Sequence, residues 1–171
     1  IGVTGTNGKT TFTYLMEGML ESAGRPTGVV GTVNYRARRK IWPSRNTTPG
    51  AVDLQRMLGE ILKIGAKHCV MEVSSHALDQ RRADGIEFDV VVFTNLTQDH
   101  LDYHADMEMY GNAKRRLFTE LLESSRKKRK AAVVNVDSAF GASLARQIHG
   151  RVVRYGWETG DVRVLQSRGD E

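Results

Sequence analysis

The sequence predicts an α/β fold, a mostly parallel sheet with helices on both faces. Two observations carry that prediction. Short apolar strands alternate with amphipathic helices almost from end to end, which is the pattern of βαβ units rather than of separate helical or sheet domains. The first strand also runs through a Gly-rich turn directly into a helix opening on Lys-Thr-Thr. In such folds ligands bind at the carboxyl ends of the strands. Four polar clusters fall there: residues 5–11, 46–48, 72–76 and 94–100.

The elements follow in order. Ile1 and Val3 form a short strand, and residues 9–23 a helix with Phe12, Leu15, Met16, Met19 and Leu20 as its apolar face. Gly24 stops this helix and Pro26 follows. Residues 27–31 read as a buried strand, and 33–45, polar and basic with Trp42-Pro43, as a hairpin or loop. Thr48 as N-cap and Pro49 at the first helical position would open a helix to Ile64, with Leu54, Met57, Leu58, Ile61 and Leu62 facing the core. Residues 68–73 are a strand, followed by a turn of helix to Arg82, and 88–93 a central strand. A polar loop, 94–104, leads to a helix over 106–123 with Met109, Ala113, Leu117 and Leu121 on one side. Residues 131–136, 138–149 and 152–155 read as strand, helix and strand, and 162–165 as the start of a further element.

The 171 residues fit one domain with a sizeable core. A net charge of +5 suits acidic ligands such as nucleotides but is too mild to argue for nucleic acid. The basic run 126–130 lacks interleaved aromatics and reads as a solvated connection. A single cysteine, Cys69, excludes an intrachain disulfide and makes a reduced, cytoplasmic setting the default. No apolar run approaches the roughly 20 residues that span a bilayer, so no membrane partner is expected. Ile1 already lies in the first strand, without lead-in or initiator Met, which suggests a piece cut from a longer protein.

The chemistry concentrates in the clusters. Gly5-Thr6-Asn7-Gly8-Lys9-Thr10-Thr11 is built to hold phosphate: glycines let the backbone turn so that N–H groups face an anion, and the helix adds its N-terminal dipole. Lys9 would reach the β- and γ-phosphates and the Thr10 hydroxyl would ligate Mg²⁺. The usual first glycine of that motif is displaced: Val3 stands in its place, with Gly2 one residue early. Glu72 closes an apolar strand, where a carboxylate beside a phosphate loop can hold Mg²⁺. His100 could ligate a metal or be a surface histidine, and Asn95, Gln98, Asp99 and Asp102 could be turn formers. Ser74-Ser75-His76 is no nucleophile and base, since adjacent residues rarely face each other and no nucleophile elbow surrounds them. Lys114, followed by Arg115 and Arg116, reads as part of a solvated helix face.

Taken together, the loop 5–11, Asn46-Thr47-Thr48-Pro49, Met71-Glu72-Val73-Ser74-Ser75-His76-Ala77-Leu78, the segment 94–104 and Tyr110-Gly111-Asn112-Ala113-Lys114 resemble the central, P-loop NTPase-like domain of the Mur ligases. The resemblance covers essentially the whole chain and is strongest to the branch that adds the third residue of the peptidoglycan stem peptide. It implies ATP at Gly5, Thr6, Asn7, Gly8, Lys9, Thr10 and Thr11. It implies one Mg²⁺ at Thr10 and Glu72, and a second at His100 and a carbamylated Lys114. It also implies a UDP-muramoyl-dipeptide held by Asn46, Thr47, Thr48, Ser74, Gln80 and Arg82. Lys9, Glu72, His100 and Lys114 would carry catalysis. The partners implied are that dipeptide, an amino acid (lysine or diaminopimelate) and flanking domains of a longer chain. The expected reaction is amide formation through an acyl phosphate. Sister ligases such as folylpolyglutamate or cyanophycin synthetase, and a P-loop module without ligase activity, are the alternatives.

Overall fold

The structure, a computed structural model, describes residues 1–99 and 103–163. Nine strands form one sheet among these residues, in the order β4-β3-β2-β5-β1-β6-β7-β8-β9. β1 (Gly2–Thr4) sits at its centre, paired in parallel with β5 (His68–Glu72) and β6 (Val90–Phe93). β2 (Thr27–Val30) extends the parallel part beyond β5, and β7 (Ala131–Asn135), β8 (Arg151–Gly156) and β9 (Val162–Arg163) extend it beyond β6. The exception lies at one edge. The segment 33–45, open between hairpin and loop in the sequence, is a hairpin: β3 (Asn34–Ala37) and β4 (Lys40–Pro43) run antiparallel to each other, and β3 antiparallel to β2.

Helices cover both faces, as the alternation predicts. They are α1 (Lys9–Ser22), α2 (Ala51–Lys63), α3 (Ser75–Asp79), α4 (Met107–Arg116) and α5 (Ala139–Gln147). The core joins strand residues such as Val30, Met71, Val91 and Phe93 to Leu54 and Ile61 of α2 and to Leu117 and Phe118 beyond α4. Among the described residues no helix is long and apolar enough to cross a membrane.

Helix termini follow their local chemistry. α1 ends in two bonds, Gly24 N–H to Glu21 and Arg25 N–H to Leu20, and α2 repeats the pattern from Gly65 and Ala66 to Leu62 and Ile61. Asp106 caps α4 by accepting from the Met109 amide at 2.7 Å, and Ser138 caps α5 by accepting from Gly141 at 3.1 Å.

Four expectations need correction. α2 starts at Ala51 with Gly50 as its N-cap, two residues later than expected, because the Thr48 side chain is engaged elsewhere. Leu62 is 64% exposed, on the outer side of α2 from Leu54 and Ile61. In α1, Leu15 and Met19 are 63% and 66% exposed, and the one fully buried residue is Thr13. Lys9 has to point into the Gly-rich turn, and residues three to four apart share a face, so Lys9, Thr13, Met16 and Leu20 turn toward the sheet. Leu15 and Met19 then face out. The helix expected over 106–123 is α-helical only to Arg116 and continues as a π-helical turn over Leu117–Leu122. Leu117, Phe118, Leu121 and Leu122 are all buried in this wider turn, whereas Met109 is 51% exposed.

The corrected face of α2 can be checked by calorimetry. Leu54, fully buried, should cost about 3 kcal/mol when changed to Ala, lowering Tm by roughly 6–12 °C. Leu62→Ala should stay within about 0.5 kcal/mol. Equal losses would return Leu62 to the core.

Candidate functional site

A cavity of about 540 Å³ opens at the carboxyl ends of β1, β2 and β5. Segments far apart in sequence line it: residues 6–11, 46–48 and 74–76, with Thr32, Glu72, Arg82 and Lys114. Most of the expected site residues therefore meet in one place. Gly5 lies at the rear of the turn. Gln80 is outside the lining but accepts two bonds from Arg82, from Nε at 2.9 Å and from Nη2. His100 lies outside the described residues.

The Gly-rich turn is clamped from β6. Thr6 N–H donates to the Asn95 carbonyl at 2.9 Å, Asn7 N–H to Asn95 Oδ1 at 2.9 Å, and Thr94 Oγ1 to the Asn7 carbonyl at 2.7 Å. The approach is close enough to require glycine at position 5. Its φ is +151°, and a Cβ there would lie 1.9 Å from Thr94 Oγ1. Asn95 is thus a structural tie for the turn. The Thr6 hydroxyl donates to the Thr97 carbonyl, accepts from the Thr97 amide, and contacts Tyr110 Oη at 3.2 Å.

Lys9 Nζ reaches back across the turn to the Gly5 and Thr6 carbonyls, 2.8 Å each. Burial lowers its pKa, against the pull of Glu72 and Asp99. Lys114 is the larger surprise. It is 1% exposed, donates to the same Gly5 carbonyl at 3.0 Å, and lies 4.1 Å above the Tyr110 ring. The solvated-face reading is overturned for a physical reason: α4 turns residues 110, 113 and 114 inward together. Desolvation first, then repulsion from Lys9, brings the Lys114 pKa down to about 7.

Glu72 is 1% exposed. Its Oε1 accepts from Thr10 Oγ1 at 3.0 Å and from the Thr32 amide at 2.9 Å. Its Oε2 lies 3.1 Å from Thr10 Oγ1 and accepts from Thr32 Oγ1 at 2.9 Å. The donor set suits Mg²⁺. A hydroxyl that gives its proton to a carboxylate keeps its lone pairs for a cation, so Thr10 and Glu72 offer hard oxygens side by side next to a phosphate-type loop. Thr48 explains the late start of α2. Its buried hydroxyl donates to the Glu72 carbonyl at 2.8 Å and accepts from the Ser74 amide at 3.0 Å. Arg82 Nη1 then donates to the Thr48 carbonyl at 3.0 Å. Ser74 Oγ caps α3, accepting from Ala77 N–H at 3.2 Å.

Sequence reasoning missed Thr32. Its signal was available: it is the second residue after β2, at the carboxyl end of a parallel strand. The burial of Lys114 left no mark in helical periodicity.

Lys114 makes folding pH-dependent. An unfolded lysine keeps its proton to about pH 10.4, whereas the folded one releases it near pH 7. Between these values the unfolded chain binds the extra proton, so the contribution of Lys114 to stability rises with pH and is absent below pH 7. Denaturation in bicarbonate-free buffer should show Lys114→Met with a shallower rise of stability over pH 7–10 than the parent. Identical slopes would mean an unperturbed amine.

Comparison with known proteins agrees with this geometry. Residues 3–169 match the Mur ligase middle domain. The UDP-N-acetylmuramoyl-L-alanyl-D-glutamate–2,6-diaminopimelate ligase of Geobacter metallireducens is 57% identical over 157 residues, covering 91% of this chain and 31% of that one. A solved structure of a ligase of the same name superposes with a TM-score of 0.82 at 34% identity, over 94% of this chain and 32% of the other. The folylpolyglutamate synthase/dihydrofolate synthase of Yersinia pestis shares the fold at a TM-score of 0.63 and 20% identity, over 90% of this chain and 42% of its own. The chain spans about a third of the length of the curated relatives it matches. With the match running almost from end to end and the turn, carboxylate and buried lysine gathered in one cavity, the chain belongs to the Mur ligase family.

Proposed function

We propose that this chain is the ATP-binding part of a ligase that adds the third amino acid to UDP-N-acetylmuramoyl-L-alanyl-D-glutamate in peptidoglycan synthesis. The observation that carries this reading is the convergence in one cavity of Lys9, Thr10, Glu72 and Lys114 with Thr47, Thr48 and Arg82. A bare phosphate-binding module would not need the second group. The relatives, named as 2,6-diaminopimelate ligases, favour diaminopimelate as the amino acid. A nucleotide-linked precursor fits a cytoplasmic protein.

The residues divide the work. A carboxylate is a poor electrophile and has to become an acyl phosphate before an amine can displace phosphate from it. The turn and Lys9 hold the nucleotide phosphates and stabilise charge that develops as the γ-phosphoryl is transferred. Thr10 and Glu72 hold Mg²⁺, which neutralises phosphate charge when bound. Asn46, Thr47, Thr48, Ser74, Gln80 and Arg82 bind the UDP-linked dipeptide, with the planar fork of Arg82 suited to an anionic group. His100 and Lys114 serve a second Mg²⁺, Lys114 as its carbamate. A carbamate forms only on the neutral amine, and a pKa of about 7 leaves Lys114 partly neutral at physiological pH. Lys114 lines the same cavity as Thr10 and Glu72, within reach of the nucleotide phosphates on this reading.

Two experiments on the protein with its flanking regions test the reading. ADP release should require both the UDP-linked dipeptide and diaminopimelate, and Arg82→Ala should raise KM for the dipeptide roughly tenfold or more while leaving KM for ATP near its parent value. Equal effects on both substrates would remove Arg82 from the acceptor site. Lys114→Ala should abolish turnover while nucleotide still binds, and high acetate should restore part of the rate by supplying the missing carboxylate. Normal turnover without added carboxylate would exclude the carbamate.

A further inference from the structure

Thr32 follows Gly31, the first residue beyond β2, and it belongs to none of the segments that carry the family resemblance. Its backbone amide donates to Glu72 Oε1 and its hydroxyl to Oε2, both at 2.9 Å. One residue thus grips both oxygens of a carboxylate that is 1% exposed. The residue before it closes the remaining side. A Cβ on Gly31 would lie 2.4 Å from Glu72 Oε1, so backbone packs against the carboxylate with no side chain between.

The direction of the bonds can be deduced. A hydroxyl has a single proton, and an ionised carboxylate only accepts. Thr32 gives its proton to Glu72, so its 3.0 Å contact with Thr47 Oγ1 has Thr47 as donor and Thr32 as acceptor. The hydroxyls therefore form a directed chain from Thr47 through Thr32 to Glu72. Thr10 reaches the same carboxylate from the opposite element, α1.

We propose that Thr32 is a positioning residue, which orients both oxygens of Glu72 for a divalent cation shared with Thr10 and ties that carboxylate to the loop bearing Thr47. The inference rests on the reading of this cavity as a Mg²⁺–nucleotide site. Thr32 acts on the cation through Glu72, as partners of metal ligands commonly do. The chain also links the two halves of the cavity. The single proton of Thr47 serves either Thr32 or a substrate oxygen, so acceptor binding and the polarisation of Glu72 draw on the same group.

The test is the Mg²⁺ dependence of nucleotide binding, measured by calorimetry with adenylyl-imidodiphosphate on the protein with its flanking regions. Thr32→Val keeps the amide and the shape but removes the hydroxyl. It should raise the half-saturating Mg²⁺ concentration roughly 10–100-fold, with nucleotide affinity in EDTA unchanged. Thr32→Ser, which keeps the hydroxyl, should restore the parent value. Thr47→Val should shift the Mg²⁺ requirement in the same direction by a smaller factor, and the double variant T32V/T47V should be no worse than T32V, because Thr47 acts through Thr32. A parental Mg²⁺ dependence in T32V, or a T32S as impaired as T32V, overturns the positioning role. Additive effects in the double variant overturn the tie to Thr47. A parent protein with no Mg²⁺-dependent nucleotide binding overturns the proposed function, and the inference with it.

Discussion

A carboxylate buried to 1% exposure has to be surrounded by donors, or it would lie far above the energy of a solvated one. Glu72 sets that requirement, and the carboxyl-end architecture follows from it. β5 delivers the side chain, α1 supplies Thr10, and the turn after β2 supplies Thr32. The parallel pairing of β2 with β5 sets Val30 beside Met71, which brings Gly31 against the carboxylate. The Glu72 carbonyl in turn accepts from Thr48, and Thr48 holds both the Ser74 amide and Arg82. Three elements and two loops are brought to one height by the hydrogen-bonding needs of one residue.

On the other side of the cavity the problem is positive charge. Lys9 and Lys114 both donate to the Gly5 carbonyl, at 2.8 and 3.0 Å. Two ammonium groups on one oxygen repel, and burial makes the repulsion dearer because little water screens it. Both amines are lowered, chiefly by burial, and the less exposed one furthest: desolvation first and Lys9 second bring the Lys114 pKa down to about 7. The turn therefore holds two amines of different basicity within reach of the same carbonyl. This is the kind of paired environment in which two identical side chains acquire different chemistry.

Much of this was legible in the sequence because it is local. The alternation of strand and helix, the Gly-Lys-Thr turn, the stop at Gly24 and the polar clusters at strand ends are short-range signals; three of those clusters, 5–11, 46–48 and 72–76, contribute to the cavity lining, while residues of the fourth, Thr94 and Asn95, tie down the Gly-rich turn instead. What was not legible is set by rotation and by tertiary competition. Leu15 and Met19 match the helical period, but Lys9 fixes how α1 is turned. Thr48 has the makings of an N-cap, yet its hydroxyl serves Glu72 and Ser74 instead. Lys114 follows a charged pattern and is nevertheless buried, because α4 passes into a π-helical turn that gathers Leu117, Phe118, Leu121 and Leu122 on one side. Thr32 has no pattern of its own, and only the pairing of β2 with β5 reveals what it faces.

The β3–β4 hairpin adds an antiparallel margin to a parallel sheet, and in doing so changes which strand is left at that rim. Without it, β2, which is buried along its whole length, would present its free N–H and C=O groups to any passing strand. The strand that occupies the rim instead is short, opens on Lys40 and closes on Pro43, which has no amide hydrogen to donate. An ammonium at one end and an imide at the other make a poor template for another chain. The hairpin thereby acts as a guard against edge-to-edge association, keeping the buried β2 from serving as an open edge.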